Sequence, residues 1–461
     1  MLSESTFSFT NSQQDAVKTL LSTAAILLLS ILPICIFIVR QYGSTHTAQP
    51  RGCRRLGLPP GQTNLRDEFD PKYSQGASSD VDDKGQAAWR IKALFTHPIK
   101  SCAAVELDVA DVVSTGFAFD RQFCFAEHFT PDQASANDGK AQPYWDVRTL
   151  RNGHYSRLTL IRPEIWVPDP TAPDYVPDLD EVRSQGVMVM YYPRPAGRGL
   201  SSFLVKLGVA LRLGPRELSF SVPLVPPPNR ASAYPSVPVK IWKDTPVAYD
   251  YGRHLPQSLR EFLAPPDAGV SRPLTLFRID PRHHRQVFRN APRKAELGFQ
   301  PVTGFADAYP LHILNIASVH DVAARCARDI PRLSVRRFRA NIIVQGPEAF
   351  AEDGWKRIML RANGVKSAAG VEMHVACRTM RCRLPNVDPA TGIRHASEPD
   401  RTLKSYRRID PGDPTNACLG MQCVPAVQEF VIRVGDTVSV LETGEHCYIK
   451  LLKPGEIVEG V

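Results

Sequence analysis

The sequence lacks the motifs that mark the common nucleotide-dependent and hydrolytic enzymes. It has no GxxxxGK[ST], no strand-linked GxGxxG, no HExxH and no GxSxG. It therefore does not indicate a P-loop NTPase, a Rossmann dehydrogenase, a zincin protease or an α/β-hydrolase. It also has no Asn-x-Ser/Thr sequon, and its 10 cysteines are scattered along the chain. Both features favour a reducing, non-glycosylating compartment and exclude a disulfide-rich secreted miniprotein.

No tract of one charge sign dominates the chain. The 56 Lys and Arg residues exceed the 47 Asp and Glu residues by a net charge of +9. This surplus is modest for 461 residues, so a moderately basic surface explains it and no nucleic-acid partner is expected. A basic pocket for an anionic ligand stays open. The 40 prolines against 29 glycines indicate ordered loops and edge strands rather than long helices.

Long apolar runs are missing, with one exception near the start. After the tail 1–19, residues 20–39 read LLSTAAILLLSILPICIFIV and carry no charge. At about 1.5 Å per residue they predict a single transmembrane anchor across a ~30 Å hydrocarbon layer. A cleaved signal or a buried helix are the alternatives, but the run is long for a signal and no small-x-small cleavage site follows. Positive charges follow the run, so the body is expected to face the cytosol: Arg40, Arg51, Arg54 and Arg55.

The remaining chain reads as two β-rich units. Residues 40–86 predict a flexible linker, and β-type alternation begins at Trp89. The expected class is mainly β with a few helices (α+β), with two β-barrel-type domains, 87–265 and 300–461, behind the transmembrane helix. Predicted strands lie at 89–95, 104–114, 121–128, 157–161, 187–192, 203–207, 237–242, 357–362, 371–377, 428–434 and 437–442, and predicted helices at 255–263 and 317–327.

Three segments interrupt this pattern. The Pro-rich residues 163–184 and 221–236 predict surface insertions. The connecting loop 266–299 contains the basic cluster PRHHRQVFRNAPRK within 280–299. That cluster is either a solvated loop or a docking surface for an acidic protein.

Two cysteine pairs carry the first chemical signal. Cys377 and Cys382 are separated by four residues, and Cys418 and Cys423 repeat the interval. Four thiolates would suit a tetrahedral zinc site, although four intervening residues are more than usual. The first pair is flanked by guanidiniums that would favour a thiolate and hold a phosphate: Arg378, Arg381 and Arg383. Structural zinc, inert buried cysteines and one functional thiolate all remain open on spacing alone.

A set of motifs in tandem order narrows these alternatives. RCRLPNVDPATG (381–392) and EPDRTLKSYRR (398–408), with FADAYPLHILNIAS (305–318) and FRANIIVQG (338–346) upstream, resemble the MOSC domain. LFTHPIKSC (94–102) and TGFAFDRQF (115–123) resemble the β-barrel domain that precedes it in that family. A membrane anchor ahead of these two domains is an arrangement that resembles the mitochondrial amidoxime-reducing branch of the family. The sequence diverges from the family pattern after residue 409, in the stretch that holds Cys418 and Cys423.

The resemblance implies a molybdenum–molybdopterin cofactor (Moco) with a cysteine as a further metal ligand. The matching cysteine is Cys382, which would be both the molybdenum ligand and the catalytic residue, and its soft thiolate suits that metal. Cys377 is then a core thiol or a persulfide-carrying partner of Cys382. Asp388 is expected to stabilise a turn. Tyr309 and Ser405 are weaker candidates for lining the cofactor site. The cofactor-binding residues implied by motif match are Lys100, Ser101, Arg121, Arg339, Asn341, Arg381, Lys404 and Arg407.

Three functions follow as hypotheses. The first is a membrane-anchored oxidoreductase that reduces small N-hydroxylated compounds (amidoximes and hydroxylamines) with electrons from a cytochrome b5-type donor and its reductase. The second is a cofactor carrier, or a sulfurtransferase that uses a Cys382 persulfide; no pyridoxal-phosphate domain precedes the barrels to supply the sulfur. The third is a zinc-stapled scaffold without catalysis. The resemblance favours the mitochondrial outer membrane, and the anchor alone would equally fit the endoplasmic reticulum.

Overall fold

The computed structural model describes residues 18–27, 29–31, 33, 49–76, 89–130, 142–195, 215–265, 272–363 and 370–449. The chain divides into two compact units, one made of 1–48 with 193–219 and the other of 49–192 with 220–461. In the first unit, the described residues between 18 and 33 are helical, and the rest of the expected anchor 20–39 lies outside the described residues. No helix found in the described ranges combines the length and the apolar character that crossing a bilayer requires.

The architecture is mainly β, as expected, with a few short helices. The strands are β1 Cys53–Arg55, β2 Arg90–Thr96, β3 Val105–Leu107, β4 Val109–Val113, β5 Gly116–Phe117, β6 Phe123–Phe129, β7 Tyr144–Val147, β8 Arg162–Pro168, β9 Val187–Pro193, β10 Glu217–Pro223, β11 Ser236–Lys240, β12 Val247–Asp250, β13 Leu274–Ile279, β14 Arg285–Gln286, β15 Val302–Thr303, β16 Leu311–Asn315, β17 Ile342–Gln345, β18 Trp355–Arg361, β19 Val371–Arg381, β20 Ala417–Pro425, β21 Phe430–Arg433 and β22 Thr437–Thr443. The α-helices with described bounds are α1 Asp180–Arg183, α2 Gln257–Leu263, α3 Lys294–Leu297, α4 Ile316–Cys326 and α5 Asp400–Tyr406. Short 3₁₀ helices lie at Pro71–Ser74, Gly153–Leu160, Pro228–Ala233, Gly252–His254, Pro281–His283, Val335–Phe338, Ala351–Gly354 and Leu384–Asn386.

The first barrel is small and closed. Its strands follow the order β11-β12-β13-β6-β7, and β7 closes it by pairing in parallel with β11. Apolar side chains from alternate positions of these strands point inward, as the period of two in a strand requires. They form one buried cluster that includes Cys124, Ala126, Val147, Val239 and Phe277.

The second barrel takes one strand from the other end of the chain. Its strands follow the order β17-β16-β20-β19-β18-β22-β2, and β2 closes the ring by pairing with β17. Strand β2 is buried at five of its seven positions, which explains why it needs neighbours on both sides. A barrel built from the C-terminal strands alone would therefore lack one of its strands and could not close.

Helix α4 covers part of this second barrel. The Asn315 side chain caps it by accepting a hydrogen bond from the Ala317 N–H at 3.1 Å. Ile316, Val319 and Val322 recur at helical spacing and are buried against strands β16 and β17. The helix expected over 317–327 is thus confirmed to within one residue.

Two expectations about the stretch 157–184 are wrong. Residues 157–161, expected as a strand, mostly belong to the 3₁₀ helix Gly153–Leu160; five residues of alternation cannot distinguish a strand from a short helix with one buried side. The Pro-rich stretch from 163 is not wholly a surface insertion, because β8 pairs with β9 over 162–166 and with β1 over 166–168. Pro163 is tolerated there because β1 reaches only as far as Trp166, which leaves the proline on an unpaired edge.

The linker expected over 40–86 is partly structured. Within the described residues 49–76, β1 pairs with β8, and Leu65 and Tyr73 are buried in the same cluster as α4. Two apolar anchors eight residues apart in a polar segment were too sparse to reveal this packing. Residues 40–48 and 77–86 lie outside the described residues, as does the strand expected over 203–207.

Candidate functional site

A cavity of about 330 Å³ lies in the second unit and draws its walls from both barrels. Its lining is strongly basic, with nine lysine and arginine side chains against only Asp244 and Asp307. Such a concentration of one charge sign in a concave site favours an anionic ligand. The nine basic residues are Lys100, Arg121, Arg151, Lys243, Arg285, Arg289, Arg339, Arg378 and Arg381.

Cys382 lies on the wall of this cavity, directly after the end of β19. Its side chain is half-buried, and the Arg151 Nε–H donates a hydrogen bond to its sulfur at 3.0 Å. Burial alone would lower the pKa of Arg151, but Asp307 and the Cys382 sulfur outweigh burial and raise it. The Trp242 indole lies 4.3 Å from the Arg151 guanidinium carbon and holds it by a cation–π contact.

Lys100 and Ser101 reach the cavity from the loop after β2. The Lys100 ammonium is buried and donates to the Phe305 carbonyl at 2.8 Å and to Asp307 Oδ1 at 2.6 Å. Burial lowers the pKa of Lys100, and Asp307 opposes that shift. The Ser101 Oγ accepts from the Leu150 N–H at 3.2 Å, so this serine holds the loop that carries Arg151.

Arg121, Arg339 and Asn341 form one hydrogen-bonded group. Arg121 donates from Nη1 to Asn341 Oδ1 at 3.1 Å and from Nη2 to the Arg339 carbonyl at 2.9 Å. Both arginines have positive φ, +48° and +55°, a strained conformation for a non-glycine residue that a site must enforce. Burial, helped by the nearby Arg121, lowers the pKa of Arg339 to about 10.

Asn341 makes hydrogen bonds to the protein through both atoms of its amide group. Its Nδ2 donates to the Phe95 carbonyl at 3.1 Å, and its Oδ1 also accepts from the His312 N–H at 3.2 Å. It therefore positions Arg121 and β16.

Arg381 also acts mainly as a support. Its guanidinium donates to the Leu419 carbonyl at 2.8 Å, to the Phe338 carbonyl at 3.1 Å and to His312 Nε2 at 2.7 Å. Burial, together with Arg381, lowers the pKa of His312 well below its usual range, so the imidazole is neutral and accepts this bond. The last residue of β19 is thus fixed immediately before Cys382.

Three buried polar atoms of residues in the cavity wall have no partner among the described residues. They are Arg339 Nη2, Arg378 Nε and Thr379 Oγ1, although the Arg378 Nη1 donates to the His446 carbonyl at 2.8 Å. Unpaired buried groups of this kind cost about 1–3 kcal/mol each unless something bonds to them. Together with the basic lining and the half-exposed thiol, they fit a ligand with phosphate oxygens, polar ring edges and a soft metal.

Seven of the nine residues expected at the site line this cavity, and two do not. Lys404 Nζ pairs with Asp400 Oδ2 at 3.0 Å within α5. Arg407 is buried, donates to the Cys418 carbonyl at 3.1 Å and stacks 4.0 Å from the Phe350 ring. In this structure both hold α5 against the second barrel, and a role in cofactor binding stays a prediction for them. Tyr309 does line the cavity.

The four paired cysteines do not form a zinc site. Cys377 is buried, Cys418 Sγ lies 3.8 Å from Met380 Sδ, and Cys423 Sγ faces the Met421 carbonyl at 4.0 Å. Within the part of the chain that the structure describes, no three His, Cys, Asp or Glu side chains are grouped so that they could hold a metal ion. The zinc-scaffold hypothesis is therefore wrong, because adjacent antiparallel strands turn these side chains to different neighbours.

The sequence did not reveal several residues of the wall. Arg151 and Trp242 come from loops of the first barrel in stretches without a motif, whereas Asp307 lies inside FADAYP, one of the family-like segments.

The basic cluster 280–299 is not uniformly solvated. Arg285 donates to Asp244 Oδ2 at 2.6 Å and lines the cavity, while Arg282 pairs with Asp280 and is 75% exposed.

Comparisons with known proteins agree with the tandem motifs. Residues 300–439 match the MOSC domain family model, and 88–132 match the MOSC N-terminal beta barrel domain. Mitochondrial amidoxime-reducing component 1 of Mus musculus is 33% identical over 168 residues, which are 35% of this chain and 43% of that protein. The Danio rerio component 1 is 37% identical over 144 residues, 31% of this chain and 38% of the relative.

The chain thus spans less than half the length of these relatives. Among solved structures, the YuaD protein from Bacillus subtilis matches at 16% identity over 32% of this chain and 71% of that one, with a TM-score of 0.17 that is too low to bear on the fold. The chain therefore carries a MOSC domain and a MOSC N-terminal beta barrel domain, and its homologues include the mitochondrial amidoxime-reducing components.

Proposed function

We propose that this chain is a molybdenum-cofactor-dependent oxidoreductase that reduces small N-hydroxylated compounds. The observation that carries the proposal is the half-buried Cys382 thiol on the wall of a basic cavity, with the Arg151 Nε–H directed at its sulfur at 3.0 Å. Thiolate sulfur is a soft ligand that suits molybdenum. The names of the relatives, amidoxime-reducing components, point to the same chemistry.

The lining residues divide into those that would hold the cofactor and those that position them. Lys100, Arg339, Arg378 and Thr379 present donors to the cavity and would bind the phosphate and pterin edges. Asn341 and Arg381 are already bonded to the protein and would keep these donors and Cys382 in place. The Arg151 hydrogen bond would withdraw charge from the Cys382 sulfur and so tune the metal.

The reaction consumes two electrons and two protons per substrate molecule. The N–O bond of the N-hydroxylated compound breaks, one proton is added to the nitrogen, and the other leaves with the hydroxyl oxygen as water. The bound cofactor would supply the two-electron centre with an open coordination position. The chain's own part is to exclude bulk water, to hold Cys382 and to surround the reacting group with positive charge.

The electrons would come from a separate protein of the cytochrome b5 type with its reductase. Arg282 is 75% exposed but pairs with Asp280. The positive charge for an acidic donor would therefore come from the cluster 280–299 as a whole. We also propose a membrane anchor in the uncharged run 20–39, at the mitochondrial outer membrane, with the body facing the cytosol. Fractionation of cells that express the full chain or the chain without residues 1–48 tests this; equal membrane association of both would refute the anchor.

The test of the catalytic proposal is metal and pterin analysis of the full chain beside Cys382→Ala. We expect about one molybdenum and one pterin per chain in the wild type, and reduction of benzamidoxime with a cytochrome b5 and its reductase. Cys382→Ala is expected to lose at least about 100-fold in activity, since it removes the thiolate proposed to bind the metal directly. Cys53→Ala, which removes a half-exposed thiol outside the cavity, is the matched control.

Other outcomes separate the alternatives. A protein that contains the pterin but does not turn over, and that acquires a persulfide on Cys382 from a sulfur donor, would instead be a carrier or sulfurtransferase. A protein purified without pterin from a host that makes the cofactor would contradict both proposals.

A further inference from the structure

A second cavity, of about 380 Å³, shares only Arg339 with the first. Its size lies within the range of roughly 300–1,000 Å³ that small-molecule sites occupy. Most of its wall is apolar, and the residues that make it so include Phe95, Ala103, Val335, Ala340, Ile343 and Pro389. A ligand with an apolar body would therefore gain from burial there.

One deeply buried hydroxyl lines this cavity without a partner among the described residues. Thr159 is 2% exposed, and none of those residues bonds to its hydroxyl. His97, which is 3% exposed, already faces an acid, because its Nδ1 lies 3.7 Å from Asp120 Oδ1. Buried polar atoms are nearly always hydrogen-bonded in folded proteins, so the Thr159 hydroxyl points to a ligand with a polar group.

The charges around the cavity select the sign of that group. Four arginines line it, Arg332, Arg336, Arg337 and Arg339, against two acids, Glu68 and Asp388. Both acids are already engaged by the protein: Glu68 accepts from the Ser334 hydroxyl and the Val335 N–H at 3.0 Å, and Asp388 pairs with Arg337 at 3.0 Å. Arg336 in turn pairs with Glu106 at 2.7 Å. The positive charge that remains, on Arg332 and Arg339, favours an anion, and the Arg339 Nη2 has no partner among the residues that the structure describes.

We propose that this cavity is a second ligand site, which binds a small carboxylic acid with an apolar body. The carboxylate would accept from Arg339 and from the Thr159 hydroxyl, while the apolar body would pack on Phe95, Ala340 and Ile343. The two cavities share Arg339, but Thr159 and the apolar wall belong to the second cavity alone. Loss of acid binding in variants of those residues is therefore a separate result from failure of the catalytic proposal.

The test is isothermal titration of the full-length protein with 4-phenylbutyrate and with 4-phenylbutylamine, which has the same apolar body and the opposite charge. We expect the acid to bind and the amine to bind at least about tenfold more weakly, a difference of ~1.4 kcal/mol. Equal affinities would overturn the proposal, as would the absence of acid binding up to about 10 mM, a concentration that detects even fragment-sized ligands.

Four variants locate the binding. Ala103→Phe fills the cavity and is expected to abolish binding, whereas Ala231→Phe adds the same bulk at an exposed 3₁₀ helix and is its matched control. Thr159→Val removes only the hydroxyl and should weaken binding about threefold or more. If Ala103→Phe does not fold, Thr159→Val alone tests whether the acid binds in this cavity. Lys243→Glu at the mouth of the first cavity should leave binding unchanged. Binding that Lys243→Glu abolishes, or that Ala103→Phe and Thr159→Val both leave intact, would place the acid elsewhere.

Discussion

A single buried guanidinium joins three segments of the second barrel. Arg381 ends β19 and bonds to Leu419 in β20, to Phe338 at the end of a 3₁₀ helix and to His312 in β16. Its pKa is lowered to about 10 because it is fully buried, so it still carries its charge at neutral pH. Removing it would leave two carbonyls and an imidazole without a donor, on residues that are all buried.

We therefore expect Arg381→Met to lower the free energy of unfolding by about 2–4 kcal/mol, the cost of leaving buried acceptors unpaired. Arg383→Met is the matched control, since this side chain two residues later is 70% exposed and should change stability by less than about 0.5 kcal/mol. Urea titration of both variants measures the two values. Equal losses would show that the three bonds of Arg381 contribute nothing beyond a surface charge.

At the level of elements, the turn Ala351–Gly354 carries an acid into the core. Glu352 is fully buried, and the Ser318 hydroxyl of α4 donates to both of its carboxyl oxygens at 2.8 and 2.9 Å. Burial, with some help from the neighbouring Asp353, raises the pKa of Glu352 to about 7. In the unfolded chain the same carboxyl titrates near 4.5.

The sign of the resulting pH dependence follows from proton linkage. Between about pH 4.5 and 7 the folded state holds a proton on Glu352 that the unfolded state has lost, so stability falls as pH rises. We expect Glu352→Gln to remove this slope and to be more stable than the wild type at pH 8 by on the order of 1–3 kcal/mol. Urea unfolding at pH 5, 6, 7 and 8 measures it. Parallel pH profiles for the two proteins would contradict it.

The elements that the sequence predicted well are those with long, regular periodicity. Helix α4 and strands β2, β6, β18 and β19 combine a clear pattern with turn or capping residues. The errors fall on short runs such as 157–161, where a 3₁₀ helix buries the same residues as a strand would.

For the site, motif segments indicated the residues that line it but not which of them contact a ligand. Arg151 lies 231 residues before Cys382 and meets it only because two barrels come together. Arg407 shows the opposite case. It lies in a family-like motif close to Cys382, yet helix α5 directs it toward Cys418 and Phe350, away from the cavity. Such distinctions depend on long-range packing, which local pattern does not encode.

At the level of the whole molecule, closure of the second barrel depends on a strand from the N-terminal half. Strand β2 lies between β17 and β22, and its absence would expose two strand edges. Open, apolar strand edges pair with other chains and cause aggregation. The barrel therefore cannot be separated from the first half of the chain by a single cut.

We accordingly expect residues 300–461 expressed alone to aggregate or to remain without stable tertiary structure. The same piece preceded by residues 89–114 through a flexible linker should elute as a monomer with a β-type circular dichroism spectrum. Fusion of residues 255–280, which supplies β13 from the other barrel, is the control and should not rescue it. A soluble, cooperatively unfolding 300–461 piece would contradict the requirement for β2.

The position of β2 also determines how long this strand waits, during synthesis of the chain, for the strands that it pairs with in the barrel. Roughly 250 residues separate β2 from β17 along the chain, and a ribosome adding about 5–20 residues per second takes roughly 10–50 s to make them. Throughout that interval a mostly apolar strand has left the ribosome without either of its barrel neighbours. The nascent chain thus depends on factors that shield exposed strands, and its yield in a cell should respond to their supply more than its final stability would suggest.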